Sequence, residues 1–496
     1  MRIILAMLVA ALLSAPVAAE WAVAESNQFR VYARGSEENV ARRAQLLEQF
    51  DQLLRRYTGV PAERAAPKLD VFMLRNSAEV QRLSGRPLIA GIYVASPSGI
   101  CVFGVDKERG FYATTTLHEY VHHFMLQHAA TAYPRWFAEA FAEYFMTAEF
   151  AGSVAKIGVL QKGRVRTLQR MDWMAWDDLL RGDVSSEDFW VFYPQSWILL
   201  HYIYQDAGRT AQLADYLAAV ANGGDPVTAF SAAFSASPEA FGDEVRRYFL
   251  EKRIPYRKLT LPPGYFRAAA IETRTLPDSS DDILPRFAML NCGLGDPQRH
   301  LRVIRRNAED RDDGYARARL AQAEALAGDT AIAIKSLSAM VAAEPDNPDH
   351  SYFLGRAYSR RAHEEGFDID ADHRTARTHY ARANRLRPNH VPTLFYHVHD
   401  GDAYRGESER ALMRLALELA PQVVPVATTL ALSLALIGEW EEAEAVLAPA
   451  ANNPHAADDS WSRRLIEHIR ARDIDIRYAR GGGGSGGGEN LGPRER

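Results

Sequence analysis

Cysteine is scarce in this chain, which contains only Cys101 and Cys292 among its 496 residues. Two cysteines exclude a scaffold stapled by several disulfides, and they exclude a zinc site built from cysteine clusters. They fall in different predicted domains, so we do not expect them to pair, although an oxidising compartment would permit a disulfide. Soft metal ligands must therefore come mainly from the 15 histidines.

An excess of basic residues is also absent. The net charge is −5 and the isoelectric point is near 6.3. Proteins that bind nucleic acids carry a basic footprint, so we expect no nucleic-acid partner. The hydrophobic share of 47% and the charged share of 24% are typical of globular proteins and exclude a disordered or collagen-like chain. At about 150 residues per domain, the length predicts three domains.

Long apolar runs are lacking beyond the N-terminus. There, Met1-Arg2 gives a positive start, Ile3–Leu13 an apolar run and Ala15–Ala19 a small-residue exit. This order is typical of a secretory signal peptide cleaved after Ala19. The run is shorter than the roughly 20 residues that span a bilayer, which argues against an anchor. We expect residues 1–19 to be removed and the mature protein to be periplasmic or secreted, without a transmembrane segment.

The pattern of residues 20–255 indicates one domain of mixed helices and strands. Short β-rich runs at Phe29–Ala33 and Lys68–Leu74 predict strands, and Gly91–Val105 resembles a strand pair around a turn. Leucines at helical spacing predict a helix over Glu37–Tyr57, and the second half of the domain is helical and rich in aromatic residues.

The rest of the chain divides into three parts. Residues 256–300 contain several prolines and little periodicity, which predicts a connector with one helix near Ile283–Leu290. Residues 301–475 are predicted to be helical throughout. Residues 476–496 include the glycine-rich run Gly481–Gly488, which predicts a flexible tail.

The helical region 301–475 repeats itself. Its turn prolines recur at intervals of 43, 33 and 33 residues, at Pro345, Pro388, Pro421 and Pro454. The polar stretch Glu364–Asp372 accounts for the longest interval, and each unit contains two amphipathic helices. The pattern resembles tetratricopeptide (TPR) repeats. That resemblance implies an all-α superhelix whose concave groove binds a protein partner or substrate.

One motif carries recognisable chemistry. The run His118-Glu119-Tyr120-Val121-His122 places two histidines four residues apart in a predicted helix. Both imidazoles then project from one helix face and can bind one zinc ion. Glu119 is rotated by about 100° from His118, so its carboxylate reaches a metal-bound water rather than the metal.

A catalytic zinc needs a third protein ligand and an open position for water. Pro134 breaks the first helix, and the next predicted helix, Trp136–Phe145, can fold back against it. Its glutamates Glu139 and Glu143 are four residues apart and share a face. Spacing alone does not choose between them.

The segment Trp136-Phe-Ala-Glu-Ala-Phe-Ala-Glu-Tyr144 resembles the W-L-x-E-G-x-A-x-Y segment of gluzincins, the zinc peptidases that add a downstream glutamate to H-E-x-x-H. The nearest resemblance is to peptidase MA-like proteins and, more distantly, to the aminopeptidase N group. It implies an α+β gluzincin (thermolysin-like) metallopeptidase domain over 20–255. It also implies that Glu139 is the third zinc ligand, that Tyr193 supports the transition state, and that the strand Ile100–Gly104 is the edge along which a peptide lies.

The sequence departs from that family at three places. Ala140 replaces the glycine after the ligand, and Gln195-Ser196 replaces a Lys-Gly pair. Ala95–Gly99 stands where aminopeptidases have a G-x-M-E-N segment that holds the free amino terminus of the substrate. This last departure puts exopeptidase activity in doubt, and the sequence does not decide between endo- and exopeptidase cleavage.

Two functions from different classes are compatible with these features. In the first, an exported peptidase binds Zn²⁺ through His118, His122 and Glu139, Glu119 acts as general base, and the repeats bind the substrate or deliver it. In the alternative, a catalytically inactive gluzincin fold serves as a TPR-type interaction or scaffold protein of the cell envelope.

Overall fold

The computed structural model describes most of the chain: residues 21–61, 67–107, 114–128, 131–251, 254–276, 283–309, 311, 313–400, 406–452 and 460–474. The predicted signal peptide (1–19) and tail (476–496) lie outside the described residues, as does Pro454. The protein is mostly helical, with its strands confined to the N-terminal part and a C-terminal part built of helices.

Nine strands occur among the described residues: β1 (Trp21–Glu25), β2 (Phe29–Arg34), β3 (Leu69–Leu74), β4 (Gly91–Ser96), β5 (Gly99–Val105), β6 (Glu149–Ala151), β7 (Val154–Ile157), β8 (Arg257–Thr260) and β9 (Glu272–Thr275). Six form a mixed sheet in the order β4-β5-β3-β2-β1-β9. Strands β2, β3 and β5 are parallel to one another, whereas β4, β1 and β9 are antiparallel to their neighbours. Strands β6, β7 and β8 form a small antiparallel sheet.

Helices cover both faces of the large sheet. Those of the N-terminal part are α1 (Glu37–Thr58), α2 (Ser77–Ser84), α3 (Thr115–His128), α4 (Arg135–Phe145), α5 (Lys162–Arg170), α6 (Trp176–Arg181), α7 (Phe189–Ile203), α8 (Ala207–Ala221), α9 (Pro226–Phe234) and α10 (Pro238–Leu250). Side chains alternate along a strand, so the two faces of the sheet belong to different cores. Val31 and Val71 lie in the core that contains α1, α3 and α4. Phe72 and Phe103 belong to a second core on the opposite face, with α2.

The predicted connector is part of the folded N-terminal unit. Strand β8 pairs with β7, and β9 completes the large sheet beside β1. The predicted helix is present as α11 (Ile283–Phe287), which continues into a π-helical turn over Ala288–Cys292. The strands escaped the sequence pattern because β9 (Glu-Thr-Arg-Thr) is exposed at every position and has no apolar alternation.

Cys101 and Cys292 form a disulfide, so the expectation that they stay unpaired is wrong. The two cysteines are 191 residues apart in the chain and meet because the π-helical turn packs against β5 and β4. Ser96, at the end of β4, donates a hydrogen bond to the carbonyl oxygen of Cys292 (2.8 Å). Both cysteines are fully buried. The sequence places the two cysteines in separate predicted domains, but the chain returns to the large sheet at β9 and brings Cys292 beside Cys101.

The C-terminal part consists of helices, each of which packs against the next one in the chain. They are α12 (Pro297–Glu309), α13 (Gly314–Ala327), α14 (Thr330–Ala343), α15 (Pro348–Arg361), α16 (Ile369–Leu386), α17 (Val391–His399), α18 (Glu407–Leu419), α19 (Val424–Ala435), α20 (Trp440–Ala451) and α21 (Trp461–Ala471). Pro345, Pro388 and Pro421 lie in the turns that separate successive helix pairs. The polar stretch Glu364–Asp372 forms a turn and the first turn of α16. These features define a helical, repeat-like region.

The repeat-like region contacts the N-terminal unit directly. Gln127, at the end of α3, is 1% exposed and donates a hydrogen bond to the carbonyl oxygen of Leu419 (3.0 Å). Its own oxygen accepts a hydrogen bond from the Gln422 amide (2.6 Å). A second link joins Asn452 to the carbonyl oxygen of Ala221 (3.1 Å). Among all the described helices, none combines the length and the apolar character needed to cross a bilayer.

Candidate metal centre

The structure brings His118, His122 and Glu139 together where α3 meets α4. The two Nε2 atoms are 3.1 Å apart, and Glu139 Oε2 is 3.1 Å from the Nε2 of His118 and 3.4 Å from that of His122. Ligand atoms about 2.0–2.1 Å from a tetrahedral zinc ion lie about 3.4 Å from one another. The three atoms are therefore spaced as the protein ligands of one zinc ion would be, and no other such group of His, Cys, Asp or Glu occurs within the described part of the chain.

The donor set also fits a cation on chemical grounds. Two imidazole nitrogens that face each other at 3.1 Å cannot both present lone pairs without repulsion. A single proton shared between two of the three atoms removes the repulsion between those two only. A metal ion accepts a lone pair from all three. The His/His/carboxylate combination is one that zinc binds in catalytic sites.

The electrostatics of the cluster favour positive charge. Burial is the largest single influence on His118 and opposes its charged form, but the carboxylates of Glu139, Glu119 and Glu143 together outweigh it and raise the pKa of His118 to about 9. Burial likewise works to raise the pKa of Glu139, yet His122 and His118 hold that pKa well below its usual range. A cation at the centre would take over the stabilisation that a proton on His118 provides.

Glu119 lies beside the centre against the wall formed by β4. A Cβ atom placed on Gly91 would be 2.5 Å from Thr115 Cγ2 and 2.7 Å from Glu119 Oε1, so a side chain at this position would have to displace Thr115 and Glu119. Burial is the main reason that the pKa of Glu119 is raised, while the two histidines and a hydrogen bond from the Tyr93 backbone N–H act in the opposite direction. A carboxylate with a raised pKa is suited to accept a proton near neutral pH.

Glu143, the other glutamate that spacing left open, lies behind His118 and is not one of the three donors. It is 2% exposed, and Arg164 of α5 donates to both of its oxygens, with Nε 2.8 Å from Oε2. Its Oε1 is also 3.6 Å from His118 Nδ1. Glu143 therefore supports the ring of His118 from behind, a position from which outer groups orient metal ligands. Arg164 was not predicted, because nothing in its local sequence points to α4.

Tyr193 is beside the cluster without belonging to the donor set. Its ring centroid is 6.4 Å from that of His118, and the Arg164 guanidinium stands 5.4 Å from the Tyr193 ring centroid. The negative charge of Glu139, followed by burial, raises the pKa of Tyr193 above its ordinary value. The hydroxyl therefore remains protonated at neutral pH and keeps its hydrogen for donation.

The edge strand next to the motif helix is β4. The resemblance implied that the strand Ile100–Gly104 is this edge, but β5 lies between β3 and β4 and is paired on both sides. Strands β4 and β5 form a hairpin, and β4 is its outer strand. The sequence pattern predicts the strand pair but does not indicate which of the two strands lies at the edge of the described sheet.

The remaining histidines of this unit do not join the cluster. His123 is 6% exposed and packs against Tyr93. Burial is the main cause that lowers its pKa to about 3. His128 ends α3 and contacts Arg55, and His201 is buried among aromatic rings, as expected for a packing residue.

Comparisons with known proteins add little to this geometry. No family model matches the chain, and no curated protein matches it. Among solved structures, a thermophilic TPR protein of Thermus thermophilus is similar to a part of it, with 21% identity and a TM-score of 0.27. The similarity covers 36% of this chain and 90% of that one. A TM-score of this size supports no argument, so the repeat-like region is described from its own helices.

Proposed function

We propose that this protein is a zinc-dependent peptidase. The observation that carries the proposal is the convergence of His118 Nε2, His122 Nε2 and Glu139 Oε2 within 3.4 Å of one another, with Glu119 beside them. Zinc bound there would act as a Lewis acid and lower the pKa of water toward about 7. Every ligand and the base stand on α3 and α4, whose positions are set by the buried core between them.

The side chains around the centre have roles that follow from their positions. Glu119 accepts the proton of the attacking water on its carboxylate and returns it to the nitrogen of the leaving amine. The Tyr193 hydroxyl donates to the carbonyl oxygen of the substrate as that atom gains negative charge. Glu143, held by Arg164, keeps His118 in the ring orientation that directs Nε2 to the centre.

The substrate we propose is an extended peptide or protein segment that lies along β4. An edge strand has unpaired backbone groups that can pair with another chain. Strand β4 has a partner only in β5 among the described strands, and the Tyr93 backbone N–H already points to the Glu119 carboxylate. A peptide added there would therefore cross in front of the general base.

The mechanism is tested with the full chain, its zinc content and an unstructured casein substrate. We expect about one zinc per chain and casein cleavage that a chelator abolishes and zinc restores. Glu119→Gln should keep the zinc and lose cleavage by a factor of at least about 10², the range assigned to general-base catalysis. Glu187→Gln, an exposed site on the loop before α7, is the matched control and should behave as wild type. Chelator-sensitive cleavage that survives in Glu119→Gln would overturn the mechanism.

The alternative is an interaction protein in which the repeat-like helices bind a partner and the metal centre is structural. It is favoured by the size of that region, ten of the described helices from α12 to α21. It predicts zinc without cleavage of casein. The assay above separates the two functions, because both bind zinc and only the peptidase turns over.

We also propose that the protein is exported, to the periplasm or outside the cell. The buried disulfide between Cys101 and Cys292 supports this location, because such bonds persist in oxidising compartments. Mass spectrometry of the protein from its native host should show an N-terminus at Glu20 and a mass two hydrogens below that of the reduced chain. Recovery of a chain that still begins at Met1 would contradict export by cleavage of residues 1–19.

A further inference from the structure

A cavity lies between the large sheet and the repeat-like helices. Its volume is about 550 Å³, within the range of small-molecule sites. The sheet contributes Arg30, Asp70 and Arg274, and the helical region contributes Arg319 from α13 and Tyr352 from α15. The cavity is therefore formed only when the two parts of the chain pack together.

This cavity is separated from the metal centre by the sheet. Val31 and Val71 point to the face covered by α1 and α3, where the metal ligands are found. Arg30 and Asp70 precede those residues by one position, so their side chains point to the opposite face. A ligand in the cavity would consequently contact neither His118 nor the other metal ligands.

The walls of the cavity are positively charged. Five cationic side chains line the cavity and face two lining carboxylates and Glu25 at the rim, which leaves an excess of two positive charges; the cations are Arg30, Lys68, Arg274, Arg319 and Arg387, and the lining carboxylates are Asp70 and Asp349. The carboxylates are already occupied, since Asp70 pairs with Arg30 (2.6 Å) and Asp349 with Arg387 (2.8 Å). Lys68 pairs with Glu25 (2.6 Å), at the rim.

Two of the arginines have no acidic partner at ion-pair distance within the described residues. Arg274 forms no ion pair in that part of the chain, and Arg319 contacts the Gln322 amide oxygen (2.8 Å) and the ring of Tyr315. They come from opposite walls, Arg274 from β9 and Arg319 from α13. Although burial works against its charge, Asp349 keeps a lowered pKa because Arg387, Arg319 and His390 act on it together.

Aromatic rings complete the lining. Tyr32 on the sheet side and Tyr352 and Phe353 on the helical side are all buried and border the cavity. Rings of this kind offer flat apolar surface to a ring in a ligand, while arginines recognise carboxylate or phosphate groups through paired N–H donors. The lining thus combines features for two different parts of one molecule.

We propose that this cavity binds a small organic anion, with a carboxylate or phosphate group held by Arg274 and Arg319 and an aromatic or apolar body packed on Tyr352 and Phe353. The ligand would bridge the sheet and the repeat-like helices. The proposal does not depend on the peptidase function, since no metal ligand or general base takes part in it.

The test is calorimetric titration of the full-length protein with phenyl phosphate, benzoate and inorganic phosphate. Phenyl phosphate or benzoate should bind at one site, and phenyl phosphate should bind about tenfold more tightly than inorganic phosphate because its ring is buried. Arg274→Gln combined with Arg319→Gln should weaken binding by about 100-fold, the loss of two charge-assisted contacts. Arg306→Gln, at an exposed position on α12, is the control and should leave affinity unchanged.

Each other outcome would overturn the proposal. Equal affinity in the double variant and the wild type would place the anion elsewhere, including at the metal centre, which these substitutions leave intact. A preference for inorganic phosphate over phenyl phosphate would refute the aromatic part of the site. Binding of a phenylalanine-ended pentapeptide, without any binding of phenyl phosphate or benzoate, would assign the cavity to a peptide terminus instead. Circular dichroism of the double variant confirms that it is folded.

Discussion

The pair formed by Arg164 and Glu143 offers a direct test of how the candidate metal centre is supported. Replacing Arg164 with methionine keeps the apolar part of the side chain but removes both donors to a carboxylate that is 2% exposed. A buried charge that loses its partner costs about 3–5 kcal/mol. We expect the free energy of unfolding of Arg164→Met to fall by that amount in urea denaturation of the metal-free protein.

The same change should weaken zinc binding. Glu143 Oε1 lies 3.6 Å from His118 Nδ1. Without Arg164, the Glu143 carboxylate would take up a proton and would no longer orient the His118 ring. Loss of an outer partner of a metal ligand lowers metal affinity by about 10- to 100-fold. Competition with a chromogenic chelator measures this change, and Arg166→Met, exposed on the same helix, is the matched control.

A second variant identifies the cause. Adding Glu143→Gln to Arg164→Met removes the unpaired charge, so the double variant should regain most of the lost stability while zinc affinity stays low. Two results would refute the reasoning: an Arg164→Met protein as stable as the wild type, or a double variant no more stable than that single one. Either would mean that the buried carboxylate does not need its arginine.

Three further predictions follow from close contacts elsewhere. Gly91→Ala should displace Glu119, because the added Cβ would meet Thr115 Cγ2 at 2.5 Å and the Glu119 carboxylate at 2.7 Å, and should lower casein cleavage by about 100-fold without loss of zinc. Gln127→Ala should lower the free energy of unfolding by about 1–3 kcal/mol, since it strands the Leu419 carbonyl and the Gln422 amide in a buried interface. His201 has a pKa lowered to about 4, mainly by burial, so it stabilises the fold fully above its unfolded pKa near 6.5. That stability is lost as the pH falls from about 6.5 toward 4, at up to about 1.4 kcal/mol per pH unit, and His201→Gln should remove this part of the pH dependence.

Matched controls keep these predictions specific. Gly163→Ala meets no atom within 4 Å and should leave cleavage intact, so a similar loss there would show that Gly91 is not special. His363→Gln, at an exposed histidine, should leave the pH dependence of unfolding as in the wild type. An unchanged acid sensitivity of His201→Gln would mean that other groups cause it, and unaltered stability of Gln127→Ala would show that the interface tolerates unpaired polar groups.

Much of the N-terminal fold was predictable because its elements have strong local patterns. Helix α1 begins after Ser36, whose side chain caps the Asn39 N–H, and ends at Gly59 in a left-handed conformation, close to the expected bounds of 37–57. Strands β2 and β3 were recognised from their apolar and β-branched residues. Strand β9 was missed because exposed threonines and charges at a sheet edge carry no burial pattern.

By itself, the sequence determined the part of the site that one helix can build. The spacing of His118 and His122 places both rings on one face of α3, since the helical period acts over four residues without help from the rest of the chain. The same helical period places Glu139 and Glu143 on one face of α4 but does not indicate which of them binds the metal. It likewise indicated helix pairs in the C-terminal part through their turn prolines.

Only the tertiary structure decided which side chains meet. The packing of α4 against α3 places Glu139 at the histidines, and the packing of α5 places Arg164 at Glu143. Cys101 and Cys292 meet because the chain returns to the sheet, and the pairing of distant strands makes β4 an edge strand within the described residues. The cavity between the sheet and the helices has the same origin, because no segment of the sequence contains more than part of its lining. Contacts between distant residues depend on how the whole chain folds, whereas a periodic sequence pattern reports only the local helix or strand.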